Sequence, residues 1–464
     1  MNSDRLFLTN NLNTNLSFDR GTGMALINGQ KQEQYVKPQR RIVSDELDFV
    51  NRLSHGKHLK SHAYFSYNYL PSKLLTAQGS MQELNQSTLF WGVTTSFSHP
   101  LGKINAQYSL QNEGLTQHIE EESQRLSSDY VQHTTQACIG LFDQGERYSW
   151  KVRFPIALLS QTFDGRHHLR VDFEPNVTLT YKPNSHWDIT SMYSYSERPR
   201  DGFALCTTPL FASYLFQRVG HGMYDYMKMH RVSLNVSYKN IRYGLFSSLR
   251  SGYSNRPDVT LYGHELDGII YRSMATVYKR TNDTYYMTGR LTKDFGSKLS
   301  IGLTGYLSQT QSHNLVHENP VPSRFRQING SVSLGYRPCS WLAVEERSFI
   351  FHTENRRNQS ANAEAYSEHT NTFNHEFNVF ITPKQWVIAW KNEFYHSNDR
   401  SVTSNFFSDL SVAYKMKDSE VSLGLNNLMN NSTYERRIIH SDHIVNTIHQ
   451  LRPREFVIKY SFAL

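Results

Sequence analysis

Apolar residues recur at every second position in run after run along this chain. Leu89, Trp91, Val93, Thr95 and Phe97 lead into a short break, after which Ile104, Ala106, Tyr108 and Leu110 resume the beat. The same rhythm returns in Val232, Leu234, Val236 and Tyr238, in Leu299, Ile301 and Leu303, in Trp386, Ile388 and Trp390, and in Phe406, Leu410, Val412 and Tyr414. A period of two puts successive side chains on opposite faces of a β-strand. The intervening positions are mostly polar or small, as in Arg231, Ser233, Asn235, Ser237 and Lys239, or Ser331, Ser333 and Gly335. The pattern therefore predicts strands with one greasy face and one wet face.

Tight polar turns punctuate these runs: Ser54 to Lys57, Pro100 to Gly102, Asp143 to Glu146, Lys182 to Ser185, Lys239-Asn240, Phe295 to Ser297, Arg337 to Ser340, Thr382 to Gln385 and Met416 to Ser419. Their spacing of roughly 45 residues matches a propeller blade as well, but a blade fits four short strands into that period and this chain shows two long ones. Counting runs gives about 20 strands of roughly 9 to 13 residues, the length that crosses a bilayer at a tilt. The expected fold is all-β, an antiparallel transmembrane β-barrel with short turns at one end and long irregular polar loops at the other. Both termini are expected at the short-turn end.

Tryptophan placement sharpens this. Trp150, Trp187, Trp341 and Trp386 each follow a tight turn at the start of an alternating run. An indole at a headgroup boundary keeps its N–H wet and its ring in the apolar layer, so these four are expected to form an interfacial girdle. No stretch approaches the roughly 18 apolar residues of a spanning helix, which excludes a helical membrane protein. A mean hydropathy of −0.58 is compatible with a barrel, whose strands average out as polar. The 13% aromatic content and the absence of any dividing linker fit one continuous domain over residues 1–464. Lys and Arg are dispersed despite a net charge of +8, so no nucleic-acid partner is expected. Three distant cysteines, Cys138, Cys206 and Cys339, suggest neither a disulfide framework nor a zinc site.

The C-terminal end carries a family resemblance. A strand from Val421 to Leu425 runs into Asn426-Asn427-Leu428-Met429-Asn430-Asn431, and the last segment reads Leu451-Arg452-Pro453-Arg454 followed by alternating Phe456, Ile458, Tyr460 and Phe462, ending at Leu464. This resembles the close of TonB-dependent outer-membrane receptors, with Met429 in place of the usual Phe and Leu464 in place of a terminal aromatic. The resemblance implies the bacterial outer membrane, a barrel of 22 strands of which this chain supplies about 20, and active uptake of a scarce nutrient of the siderophore, cobalamin, haem or oligosaccharide class. It also implies outer-membrane lipid, the barrel assembly machinery, a lumen-filling plug and the TonB energy-coupling system as partners. The segment from Met1 to Thr9 reads as neither a signal peptide nor a plug, so the expectation is a barrel portion that does not transport alone. A non-transporting surface barrel, an adhesin or an assembly scaffold, is the alternative.

Candidate chemistry is sparse. Twenty-one histidines include His167-His168, expected in a loop, His55 and His58 around Gly56, and His440, His443 and His449 in a last loop. None sits in a metal-binding or catalytic spacing, so no catalytic residue, metal site or cofactor is expected and the chain reads as a non-enzyme. Ligand contacts are expected on the loops facing outward. Arg198 to Lys228 offers Phe203, Phe211, Tyr214, Tyr224 and Tyr226, and Tyr253 to Asp283 offers Tyr262, His264 and Tyr271. Aromatic side chains there can stack on sugar rings, haem or chelate faces at little entropic cost.

Overall fold

The computed structural model describes the chain except residues 1–5, 19–20, 28–29, 76–80, 123–125, 200–201, 214–215, 268–269, 317–318, 358–364, 399–402, 440–443 and 463–464. Nearly all of it is one antiparallel meander. Leu6–Phe18 and Gly21–Ile27 lie end to end against Gln30–Arg52. Each strand then pairs with the next, through Tyr148–Phe163, Trp187–Pro199, Tyr226–Asn240, Leu299–Val316 and Trp386–Ser397, to Ser419–Asn426 and finally Glu455–Phe462. With end-to-end pieces counted once, the meander has twenty strands among the described residues. One such break falls between Arg166–Phe173 and Asn176–Tyr181, where Pro155 and Pro175 face each other's strands without N–H donors.

Alternation is visible residue by residue. On Tyr148–Phe163, Ile156 is 54% exposed while the next inner residues, Ala157 and Leu159, are 5% and 3% exposed. The register carries this face assignment round the sheet, because directly paired residues share a face. Leu234 lies between Ser191 and Ser251 on the apolar outer face, and Ser233, Asn235 and Ser237 lie on the inner one. Trp187 packs on Tyr238 and Trp386 on Tyr414, ring centroids 4.9 Å apart in both cases, on the outer face beside the short turns. Trp150 pairs with Leu179 on that face, whereas Trp341 lies in its turn and precedes the strand.

The nine tight turns all fall at one end of the meander. Gly56, Gly102 and Gly296 take positive φ there, as does Lys384. One boundary differs from expectation: the strand runs through Lys239 to Asn240 and the reversal is Ile241 to Gly244, because Asn240 Oδ1 accepts the Tyr243 N–H at 3.2 Å and Gly244 takes φ 56°. The other end departs more. Strands are longer than a bilayer crossing requires, reaching 23 residues in Leu245–Asp267 and 26 in Ile270–Phe295, so most of the expected loop from Tyr253 to Asp283 is a projecting hairpin. Its aromatic and β-branched side chains pair across strands instead of leaving the ladder. Register slips occur near Pro257, which offers no N–H, and Asp258, at φ 56°. His167 and His168 are on a strand, not in a loop, because Asp164-Gly165 with φ 46° and 78° makes a two-residue hairpin turn just before them. His449 also lies on a strand, Ile444–Gln450; His440 and His443 fall outside the described residues.

Candidate functional site

The connection between Trp187–Pro199 and Tyr226–Asn240 is a long excursion that turns inward. It carries a single helical turn, Gly202–Leu205, and two short strands, Leu210–Ser213 and Phe216–Val219. Leu205, Cys206 and Leu210 are apolar and buried against Ile119, Tyr130 and Phe163, with Leu115, Leu126 and Tyr224 at the margin. The three wall residues stand on the inner face, so the excursion fills part of the lumen near its mouth. A wide barrel wall is normally polar inside. An apolar inner patch is explained by the segment that covers it.

Both sides of the mouth hold this segment. On one side the Gln82 carboxamide clasps the Phe211 backbone, donating to its carbonyl at 3.0 Å and accepting its N–H at 2.8 Å. On the other side Phe216–Val219 adds in parallel to Tyr271–Met274, and Arg272 Nε donates to Gln217 Oε1 at 2.7 Å. Gly220 sits so close to the carbonyls of Ala204 and Cys206 that a Cβ would come within 2.5 Å of both, and its N–H donates to the Cys206 carbonyl at 2.8 Å. The return to the wall is fixed by Asp225, whose side chain is 3% exposed. It accepts from Thr260 Oγ1 at 2.5 Å and Lys279 Nζ at 2.8 Å, and His221 Nε2 lies 3.7 Å away.

Next to this anchor runs a buried polar chain. Tyr226 donates to Gln161, Gln161 Nε2 to the Tyr130 hydroxyl at 2.6 Å, and Tyr130 to Gln132 at 2.7 Å. The Arg170 guanidinium lies 4.1 Å from the Tyr226 ring centroid, paired with Asp172 at 2.6 Å and with Glu197. Burial, only partly opposed by Arg170, pushes the Tyr226 phenol up to about 12, so it stays a donor at neutral pH.

The expected ligand residues are distributed as follows. Phe211 is held by its backbone; Tyr224 stacks on His168 at 5.0 Å and donates to the Arg166 carbonyl at 2.6 Å; Tyr226 belongs to the polar chain. His264 and Tyr271 stack at 5.0 Å, and Tyr271 stacks on Phe216 at 5.8 Å. The two aromatic segments, distant in sequence, are thus joined at the mouth. Tyr262 lies on the same projecting hairpin, across from Ala275. Tyr214 falls outside the described residues, as does the side chain of Phe203. Gln82, Arg170, Gln161 and Asp225 were not legible as site residues: the first three are polar residues on inner strand faces and Asp225 ends the connection before Tyr226, and only the fold shows what each holds.

The C-terminal box has a physical basis as well. Asn427 and Asn430 take positive φ at 52° and 55°. Asn427 Nδ2 donates to the carbonyls of Asn431 and Arg452, each at 2.9 Å, and its Oδ1 accepts the Asn431 N–H at 3.0 Å. Asn430 Oδ1 accepts the Arg454 N–H at 3.0 Å, and the Arg454 guanidinium donates to the Leu428 carbonyl at 2.6 Å. These asparagines pin the start of the last strand to the end of its neighbour. Asn426 is a strand residue paired with Glu455, and the Asn430 N–H donates to the Asn427 carbonyl at 2.8 Å.

No family model matches the chain, and no curated protein does. Solved structures do. The receptor FpvAI in complex with pyocin S2 aligns over 98% of this chain and 61% of its own length, at 9% identity and a TM-score of 0.60. The ferric citrate transporter FecA in its unliganded form aligns over 92% of this chain and 61% of its own, at 12% identity and a TM-score of 0.53. The alcaligin outer-membrane receptor FauA from Bordetella pertussis aligns over 92% and 63%, at 12% identity and a TM-score of 0.49. This chain therefore spans less than two thirds of the length of all three. The twenty-strand meander and its likeness to FpvAI and FecA give one conclusion: the chain has the β-barrel fold of TonB-dependent outer-membrane receptors.

Proposed function

We propose that this chain is the barrel of an outer-membrane receptor that takes up a scarce solute through its lumen. A ferric chelate of the siderophore type comes first among the candidate classes, ahead of cobalamin, haem and oligosaccharides. The observation that carries the reading is the inturned segment at the mouth: it is bonded to both sides of the wall and brings Phe216, Tyr271 and His264 into one stacked row. A flat chelate or ring can extend such a row with little loss of side-chain entropy. The name of FecA, a ferric citrate transporter, supports the chelate class. The reading is non-enzymatic, and it implies a lumen-filling plug, the TonB energy-coupling system, the barrel assembly machinery and outer-membrane lipid as partners.

Uptake of radioactive iron, presented as a panel of ferric chelates to iron-starved cells that supply a lumen-filling plug with the barrel, tests it. Energy-dependent uptake of at least one chelate is expected, and Tyr271→Ala should weaken binding by about threefold to tenfold, the value of one aromatic stack. Surface binding with no uptake of any chelate, cobalamin or haem would contradict the transporter and favour an adhesin or scaffold.

A further inference from the structure

On the outer surface, beyond the apolar belt at the long-strand end, two arginines face each other. Arg324 of Asn319–Cys339 pairs directly with Arg356 of Leu342–Arg357. Like charges at opposed positions destabilise a strand pair. Glu354 offsets this in part, bonding Arg356 Nε and standing directly across from Arg326, while Arg324 has no carboxylate partner among the described residues. Both arginines line a cavity of about 350 Å³ with His313, Gln311, Thr281 and Asp283. His313 Nδ1 is buried there with no hydrogen-bond partner among the described residues. Asp283, the cavity's carboxylate, is engaged from behind, accepting from Tyr253 at 2.6 Å and Asn255 at 2.9 Å.

Below the pair, the same outer face continues toward the short turns through Ile328 and Val332, flanked by Leu307, Leu303 and Ile350. Two exposed guanidinium groups thus sit above an apolar stretch of wall, with Arg326 between them and Ile328 on the same face. An anion bridging the arginines would relieve their repulsion with charge-assisted bonds.

We propose that Arg324 and Arg356 form an outer-surface site for the phosphate group of a membrane lipid headgroup, whose acyl chains lie along the belt below. Guanidinium groups at the headgroup level attract anionic lipid, and the belt supplies the apolar contact that a free phosphate lacks. The site rests on the chain's being a membrane barrel.

Native mass spectrometry of the detergent-extracted chain, mixed with equal amounts of dioleoylphosphatidic acid and dioleoylphosphatidylcholine, tests the site. Preferential retention of phosphatidic acid is expected. Arg324→Gln should weaken it about fivefold and the Arg324→Gln/Arg356→Gln pair further, with Lys417→Gln at the far end unchanged. Arg324→Lys, which keeps the charge, should fall between, and heat-modifiable electrophoretic migration confirms that each variant is folded. Equal retention by the Gln variants, or of phosphatidylcholine, overturns the site. Complete displacement of the lipid by millimolar inorganic phosphate overturns the lipid assignment. Flotation with vesicles separates these results from failure of the barrel reading: a chain that inserts yet shows no preference lacks the site, and one that never inserts contradicts the membrane barrel itself.

Discussion

Replacing Leu234 with Arg is expected to lower folding stability in a bilayer by about 2 to 4 kcal/mol. Leu234 sits in the middle of its strand, 42% exposed, with Val232 and Val236 as same-face neighbours. On a barrel that exposure is to acyl chains, where a guanidinium loses its hydration and finds only Ser191 and Ser251 across the ladder. Asn235→Arg, one residue along, points the same charge into the lumen and should cost far less. Urea titration of the chain refolded into phosphatidylcholine vesicles reads both variants. Equal tolerance of the two would mean that the face assignment fails.

The inturned segment gives the second large effect. Leu205 and Leu210 are 2% and 5% exposed, clamped against Ile119, Tyr130 and Phe163. Truncating a buried leucine costs about 2 to 5 kcal/mol, so Leu205→Ala with Leu210→Ala removes most of what docks the segment. Because the wall is held by its own ladder, the loss appears as local opening and leaves the barrel folded. The Phe211 N–H, protected by Gln82, should then exchange with solvent at least about a hundredfold faster, each tenfold corresponding to about 1.4 kcal/mol. Unchanged protection at Phe211, measured by hydrogen exchange with mass spectrometry, would show that the segment is held by other means.

Much of the barrel was legible because period two is a local signal: Val232 to Tyr238 names its own faces, and the turns at Gly56, Gly102 and Gly296 announce themselves by residue type. Strand length was not legible. Beyond the membrane both faces meet water, so the hairpin of Leu245–Asp267 and Ile270–Phe295 loses its alternation near Pro257 while its backbone pairing persists. The aromatic content of the two outward segments was readable, yet their meeting was not, since the parallel pairing of Phe216–Val219 with Tyr271–Met274 joins residues more than fifty positions apart. The apolar run Leu205, Cys206 and Leu210 carried a hint, being greasier than a solvated loop needs. What it would cover, Ile119, Tyr130 and Phe163, alternates on strands whose opposite faces are apolar too, and sequence alone does not say which side is inside.

Cys339 offers the most direct test of the whole account. It is an exposed cysteine in a short turn, while Cys138 and Cys206 are buried. In cells carrying the protein in the outer membrane, a membrane-impermeant maleimide should leave Cys339 unlabelled until the outer membrane is permeabilised, whereas a cysteine placed at Glu265, on the projecting hairpin, should react at once. Labelling of Cys339 on intact cells with Glu265→Cys silent would invert the barrel, and equal labelling of both before permeabilisation would contradict a membrane-spanning barrel altogether.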